Sequence, residues 1–389
     1  MSWCGRSEVS VARDFRVHCG AAGVLPDGRD DLAVVVGPPG TTSALVTTRS
    51  RTAGPCVVLS RQARAGAVRG FVVLARNANV ATGEQGLRDA VEVRGSVARV
   101  VGADPDELVV CSTGMIGRRY PMASIRAHLS ALTWPPSDSI EAAAAAIMTT
   151  DTRPKVRSVP GAGFEVTGIA KGVGMIEPDM ATMLSFVMTD AQVPAHVLDA
   201  AFRRVVERTY NSVSVDTDTS TSDTALVMAS GTAGPVDNDA FERALAEVCT
   251  GLVRDIASDG EGAGTLITCT VTGAGSPGQA RTVGKSVINS PLVKTMVHGA
   301  DPNWGRVVMA VGKCVNEPDL APERLRISFG GDEVFPRAAD RDTLALVEQH
   351  LRGDEVLLEV DLGLGEESWT VYGCDLTEGY VRSNSDYTT

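Results

Sequence analysis

The chain has 389 residues, 43% of them hydrophobic, enough to bury a sizeable core in two domains or one large α/β unit. A formal charge of −12 argues against nucleic acid or an anionic membrane surface as a partner, and no apolar run reaches the ~18 residues of a membrane span. The 8 cysteines show no C-x-x-C spacing and the 5 histidines stand far apart, so the pattern predicts reduced thiols of a cytoplasmic protein, with neither a zinc site nor a His-based triad. The first residues are followed by no apolar stretch and do not read as a signal peptide.

In chain order, residues 32–36 and 57–59 read as early strands. Residues 71–75 read as a buried strand feeding the polar turn Arg76-Asn77-Ala78-Asn79. Residues 84–101, apolar at Leu87, Val91, Val97 and Val101, read as a helix. A strand over 108–111 delivers Ser112-Thr113-Gly114. A run of alanines marks a helix over 139–148, whose last turn leads into Thr149-Thr150-Asp151-Thr152. Helices follow over 194–210, with Leu198, Phe202, Val205 and Val206 on one face, and over 239–256. Residues 265–272 alternate Ile267, Cys269 and Val271 inward, as a half-exposed strand does. Further strands are expected near 325–329, 356–360 and 368–372. The Pro/Ser-rich stretch 134–138 reads as a loop, and 384–389 taken alone reads as a polar tail. No repeat interrupts this mixture, which predicts helices packed on the faces of sheets.

The most telling stretch is Glu177-Pro178-Asp179-Met180-Ala181-Thr182-Met183-Leu184, after the glycine-spaced run over 168–176. Taken by spacing alone it is a loop-to-helix junction with Thr182 as N-cap. With the preceding run it closely resembles the ornithine acetyltransferase (glutamate N-acetyltransferase) family, whose members cut themselves before the threonine of a Met-Ala-Thr-Met-Leu motif. The resemblance extends from about Arg16 to Thr389. It implies an α/β (α+β) protein with the αββα sandwich shared with self-processing aminopeptidases. It also implies cleavage between Ala181 and Thr182 into chains 1–181 and 182–389. Thr182 would then be the nucleophile, with its freed α-amine as local base. Such an amine titrates near 7.7–8.0, so a useful fraction is neutral at cellular pH.

The same resemblance assigns the other candidate residues. Thr113 and Gly114 take the oxyanion-hole role. Thr149, Lys171, Thr182, Glu261, Asn384 and Thr389 take substrate-binding roles. Lys171, one of very few lysines, would meet a substrate carboxylate; Glu261, set between Gly260 and Gly262, would meet a cationic amine. Thr265 stands where the family usually carries a lysine. Residues 294–295 and 298–306 match a further block without direct chemistry. The implied reaction moves the acetyl group of N-acetylornithine to glutamate in ping-pong fashion, with no metal or organic cofactor. The implied partners are the two cleaved chains themselves, in an α2β2 or larger assembly.

Ala81 and Thr217 depart from the arginine-pathway pattern and are similar to the branch encoded with clavulanic acid (clavam) biosynthesis. Two stretches are decoys. Gly37-Pro38-Pro39-Gly40-Thr41-Thr42 lacks the Gly-Lys-Ser/Thr ending of a phosphate loop. Asp216, Asp218 and Asp223 lack the glycine and terminal glutamate of a calcium loop. Two rival functions remain to be separated: a self-processing aminopeptidase or amidohydrolase with water as acceptor, and a binding protein with a degenerate site. Glutamate-dependent turnover distinguishes the first, and an uncut chain would favour the second.

Overall fold

The computed structural model describes residues 13–136, 138–177, 183–337 and 339–386, and three sheets organise them. Across the first sheet run β1 (Arg16–Gly20), β2 (Leu32–Val36), β4 (Gly70–Leu74) and β5 (Leu108–Ser112). Its parallel pair, β4 and β5, is bridged by helix α2 (Gly83–Val101), the long crossover that parallel neighbours need. Across the second run β3 (Thr42–Thr47), β9 (Thr224–Pro235), β8 (Leu184–Gln192), β7 (Glu165–Lys171) and β6 (Lys155–Pro160). Here β8 and β9 are parallel, with α5 (Ala195–Arg208) between them.

Side chains alternate across a strand, so each sheet offers two faces. Ala33, Val35, Phe71 and Val73 of the first sheet meet Phe186 and Met188 of the second. Phe71 and Phe186 stack with centroids 3.8 Å apart. On its other face the first sheet packs Leu32, Val34 and Leu74 against α1 (Pro55–Ser60), α2 and α3 (Met122–Ala131). The second sheet packs Val187 and Val227 against α5 and α6 (Asn238–Ser258), through Phe202, Val206, Leu245 and Val248. Helix, sheet, sheet, helix is the αββα sandwich that the sequence implied.

A third sheet was not anticipated as a separate layer. It runs β12 (Asp332–Phe335), β11 (Arg326–Phe329), β13 (Glu355–Asp361), β10 (Leu266–Ala274), β14 (Glu367–Cys374). Its core closes under α7 (Pro277–Ile288), α8 (Pro291–His298), α9 (Gly305–Gly312) and α10 (Arg341–Leu351). Each strand expected in this third of the chain lies here, but their order across the sheet depends on long crossovers that local patterning does not encode.

Four expectations are corrected. Residues 57–59 lie in α1, not in a strand: Pro55 presets the first helical turn, and three apolar residues are too few to set a period. Val91 is 46% exposed, because α2 turns Ala90, Val93 and Val97 inward, at helical spacing. Leu184–Gln192 is a strand buried on both faces, where the junction reading placed a helix. Residues 384–385, read as the start of a polar tail, close helix α11 (Glu378–Ser385), which is capped by the Thr377 side chain on Gly379 N–H.

The strands that matter most for the site are β7 and β8. They are antiparallel neighbours, with Gly168 opposite Val187. Chains 1–181 and 182–389 would therefore share one sheet, β3, β6 and β7 coming from the first and β8 and β9 from the second.

Candidate active site

One cleft at the end of the sandwich gathers the strand ends β5, β7 and β9, the turn after α4 (Ile140–Ala146), the loop after α6 and helix α11. Thr113, Gly114, Thr149, Lys171, Glu261 and Asn384 all line it, although they are spread over 272 positions of sequence, counting from 113 to 384. Met183 lines it too. Thr182, Ala181 and Thr389 lie outside the described residues.

Thr113 and Gly114 follow β5 directly. The parallel end of β4 continues beside them: Met115 N–H donates to the Arg76 carbonyl at 3.3 Å and Ala78 N–H to the Met115 carbonyl at 3.0 Å. Gly114 has φ +125°, and a Cβ there would stand 2.2 Å from the Arg76 carbonyl carbon. Gly114→Ala is expected to displace the 76–78 turn and to destabilise the fold by about 1–3 kcal/mol, read as a lower midpoint in urea unfolding. The Thr113 hydroxyl oxygen is buried and finds no partner among the described residues. A hydroxyl left in that state costs free energy, which fits a donor reserved for something that enters the cleft.

Lys171 ends β7 and is almost wholly buried. Burial lowers its pKa, offset by Asp151 and, more weakly, by Asp223 and Glu261, while Lys155 adds to the lowering. Glu261 is fixed by its neighbours: Oε1 accepts from the Thr150 hydroxyl at 2.9 Å and Oε2 from Asn384 Nδ2 at 2.8 Å. Its backbone N–H donates to the Val173 carbonyl at 2.9 Å. The flanking glycines have a different physical reason from the one the sequence suggested. A Cβ on Gly262 would meet the Gly379 backbone at 2.3 Å, and one on Gly260 the Cys374 sulfur at 2.7 Å. They admit α11 and β14, and Glu261 reaches the cleft by its own length.

A model of the ArgJ family matches residues 16–389. The chain belongs to the ArgJ family. It is 56% identical over 389 residues to the arginine biosynthesis bifunctional protein ArgJ of Rhodococcoides fascians, covering 99% of this chain and 96% of that one. It is 56% identical over 390 residues to the glutamate N-acetyltransferase Oat2 of Streptomyces clavuligerus, covering 98% and 99%. A crystal structure of the arginine biosynthesis bifunctional protein ArgJ of Bacillus halodurans matches with a TM-score of 0.50 and 37% identity, over 53% of this chain and 100% of that one.

In this ArgJ-family cleft, sequence reasoning missed a buried charge network. Lys155 Nζ, with no exposed side-chain surface, lies 2.7 Å from Asp151 and 2.6 Å from Asp259. Asp151 also accepts from Gly172 N–H at 2.8 Å and Thr149 N–H at 3.1 Å, and Asp259 accepts from Thr152 N–H at 3.1 Å. Burial pushes the Asp151 carboxyl up, but Lys155 and Lys171 outweigh it and hold it below its ordinary value. The network thus pins the three segments that carry Thr149, Lys171 and Glu261. Its sequence signal was Asp151 and Asp259, each beside a residue already singled out.

Asp223 was also missed as a site residue, having been weighed only as a calcium ligand. It lines the cleft at the head of β9, 1% exposed, with Oδ2 unpartnered among the described residues. Burial drives its pKa well above the carboxylate range, against smaller opposing effects from Ser220, Lys171 and Thr48. Asp216 instead fastens a loop, accepting from Met175 N–H at 2.6 Å and Ile176 N–H at 2.7 Å. Among the described residues no group of three His, Cys, Asp or Glu side chains could hold a metal ion. The Thr41 hydroxyl of the other decoy bonds its own turn, at Pro38 O.

The 294–306 block contributes no residue to the cleft lining. His298 Nδ1 is 3.2 Å from Asp375 Oδ2, and Asp375 Oδ1 accepts from Gly264 and Thr265 N–H. The position where the family usually has lysine is thus held here through its backbone. Among the described residues no helix is long and apolar enough to cross a membrane.

Proposed function

We propose that this protein is a glutamate N-acetyltransferase that moves the acetyl group of N2-acetyl-L-ornithine to L-glutamate through an acetyl-Thr182 ester, after cutting itself between Ala181 and Thr182. The observation that carries the reading is the convergence of Thr113, Gly114, Thr149, Lys171, Glu261 and Asn384 on one cleft that Met183, the residue after Thr182, also lines. The names of the two relatives at 56% identity support the reaction class. All of the Bacillus halodurans chain aligns with 53% of this one, a share similar in size to residues 182–389.

In this scheme the Thr182 hydroxyl attacks the acetyl carbonyl while its α-amine takes the proton. Thr113 Oγ1 and the Gly114 backbone N–H bind the oxyanion, where one such donor is worth about 2.7–4 kcal/mol. The C–N bond breaks, and ornithine nitrogen gains a proton from the Asp223 carboxyl, whose protonated form burial favours. Glutamate nitrogen then attacks the ester, N-acetylglutamate leaves, and Thr182 and Asp223 regain their protons. Lys171 holds the α-carboxylate common to both amino acids, and Glu261, with Thr149 and Asn384, meets the amine. Thr389 is assigned to the same pocket by resemblance alone. Resemblance also carries the proposals of an α2β2 or larger assembly, a cytoplasmic site of action, and membership of the clavam branch. On that last point the two identities of 56% are equal, so the motif departures at Ala81 and Thr217 are its support.

Mixing the protein with N-acetylornithine and analysing its peptides by mass spectrometry tests the reading. An acetyl group is expected on a peptide that begins at Thr182, discharged faster by glutamate than by water. Discharge to water at the same rate would make the protein an amidohydrolase, and an uncut, unacetylated chain would make it neither.

A further inference from the structure

Glu177 lies four positions before Ala181 and outside the cleft lining, yet it is one of the most fully engaged carboxylates in the molecule. Its Oε2 accepts from Asn289 Nδ2 at 2.6 Å and from the Ser214 hydroxyl at 3.1 Å. Its Oε1 is 3.3 Å from Lys285 Nζ. Its N–H donates to the Asp218 carbonyl at 2.9 Å, and its carbonyl accepts from the Thr219 hydroxyl at 3.0 Å. With Met175 and Ile176 already held by Asp216, the chain is fastened up to residue 177.

Two features separate this cluster from an ordinary surface ion pair. First, among the described residues every one of these partners lies beyond residue 182, so each contact joins the two chains that cleavage would create. Second, Lys285 and Asn289 sit at the C-terminal end of α7, where the helix dipole disfavours a carboxylate. The helix end therefore gives no reason for Glu177 to be there; its side-chain partners do. A charged acceptor with a cation and two neutral donors forms stronger bonds than a neutral one would.

On the downstream side, Leu184 of β8 is held between Lys171 of β7 and Thr224 of β9. Only residues 178–183 separate these two anchorages. The bond of the proposed cut lies between these two anchorages, and attack of a hydroxyl on the carbonyl just before it needs a narrow range of geometries.

We infer that Glu177 is a positioning residue for self-cleavage, anchoring the upstream arm of the scissile segment to α7 and the 214–219 loop. It rests on the cut proposed above. Once the bond is broken, the same contacts keep the new end of the first chain docked on the second.

Cell-free synthesis of the full chain, sampled over time on denaturing gels, tests this. Glu177→Ala is expected to cut about 10- to 100-fold more slowly than the unmodified chain, the penalty of misplacing reacting groups. Glu177→Gln should fall between the two, since an amide oxygen still accepts from Asn289. The cut fraction of either should keep the unmodified KM and kcat, which a general loss of structure would not leave alone. A Lys285→Met, Asn289→Ala double variant should slow cutting from the other side of the contact, and serves if Glu177→Ala does not fold. Cutting at the unmodified rate in Glu177→Ala or in the α7 double variant overturns the inference. So does slowing in both Glu177 variants alike that merely follows a lowered Tm. If the unmodified chain is itself never cut at 181–182, the proposed cleavage fails first, and that result is read from the unmodified chain alone.

Discussion

Thr182→Ala should leave a single uncut chain of 40.7 kDa and no acetyl transfer. Both outcomes follow from one hydroxyl. In the precursor it attacks the Ala181 carbonyl, the acyl group moves from nitrogen to oxygen, and water opens the ester. In the mature enzyme it carries the acetyl group. Alanine offers neither step a nucleophile, so rate losses in the two assays are linked, whereas loss of an oxyanion donor would slow both without abolishing either. Thr182→Ser should cut and turn over, because a serine hydroxyl makes the same shift. In the unmodified protein the fragments of 181 and 208 residues should separate on denaturing gels and migrate together under native conditions. Their cohesion has a physical basis: β8 lies between β7 and β9, and Phe186 of the second fragment stacks on Phe71 of the first. Parting them would open a sheet in its middle. Normal processing of Thr182→Ala would show that another residue is the nucleophile.

The sequence was most legible where local chemistry and burial agree. Residues 32–36 and 108–111 read as strands because uninterrupted apolar runs rich in Leu and Val suit strands covered on both faces, and each proved fully buried. Ser139 was visible as the head of a helix and does accept from Ala142 N–H. Where it failed, distance along the chain was the reason. Thr113 and Asn384 share a cleft only because α11 folds back over the loop at Glu261, an arrangement made by Gly262 and Gly379 backbones in contact. No period or cap encodes that meeting. Motif resemblance supplied the residues of the cleft. It did not supply Lys155, Asp151 and Asp259, since a buried ion network is recognised by mutual proximity and exclusion of water. Asp223 was passed over for a related reason: Asp216, Asp218 and Asp223 were weighed together only against a calcium loop, which they do not fit, whereas the fold gives Asp216 to the 175–176 loop and leaves Asp223 in the cleft.

Asp223→Asn should make the protein more stable at neutral pH and lower acetyl transfer by about 100-fold, the lower end of what a positioned proton donor contributes. Thr224 N–H donates to the Met183 carbonyl at 3.0 Å, so Asp223 stands beside the residue that follows Thr182. Its carboxyl is buried and one oxygen has no partner among the described residues. Burial raises its folded pKa far above the unfolded value of about 3.9. Below about pH 4 folded and unfolded chains both hold the proton, and the site contributes no pH dependence. As pH rises further, the unfolded chain releases its proton while the folded chain keeps it. The unfolded state is favoured progressively, and stability falls until the folded pKa is passed. A carboxyl such as Asp151, held below its ordinary value by lysines, acts in the opposite direction. Asparagine cannot ionise, so the gap in stability between the variant and the unmodified protein should open above about pH 4 and widen towards neutrality. Urea unfolding of both proteins at pH 4 and pH 7, alongside kcat for acetyl transfer, measures both halves. A gain in stability with a loss of activity marks a group retained for chemistry against the interest of the fold. A variant more stable and fully active would remove Asp223 from the mechanism. A variant less stable at pH 7 would mean that the carboxylate is ionised and paired, with Lys171 as its partner.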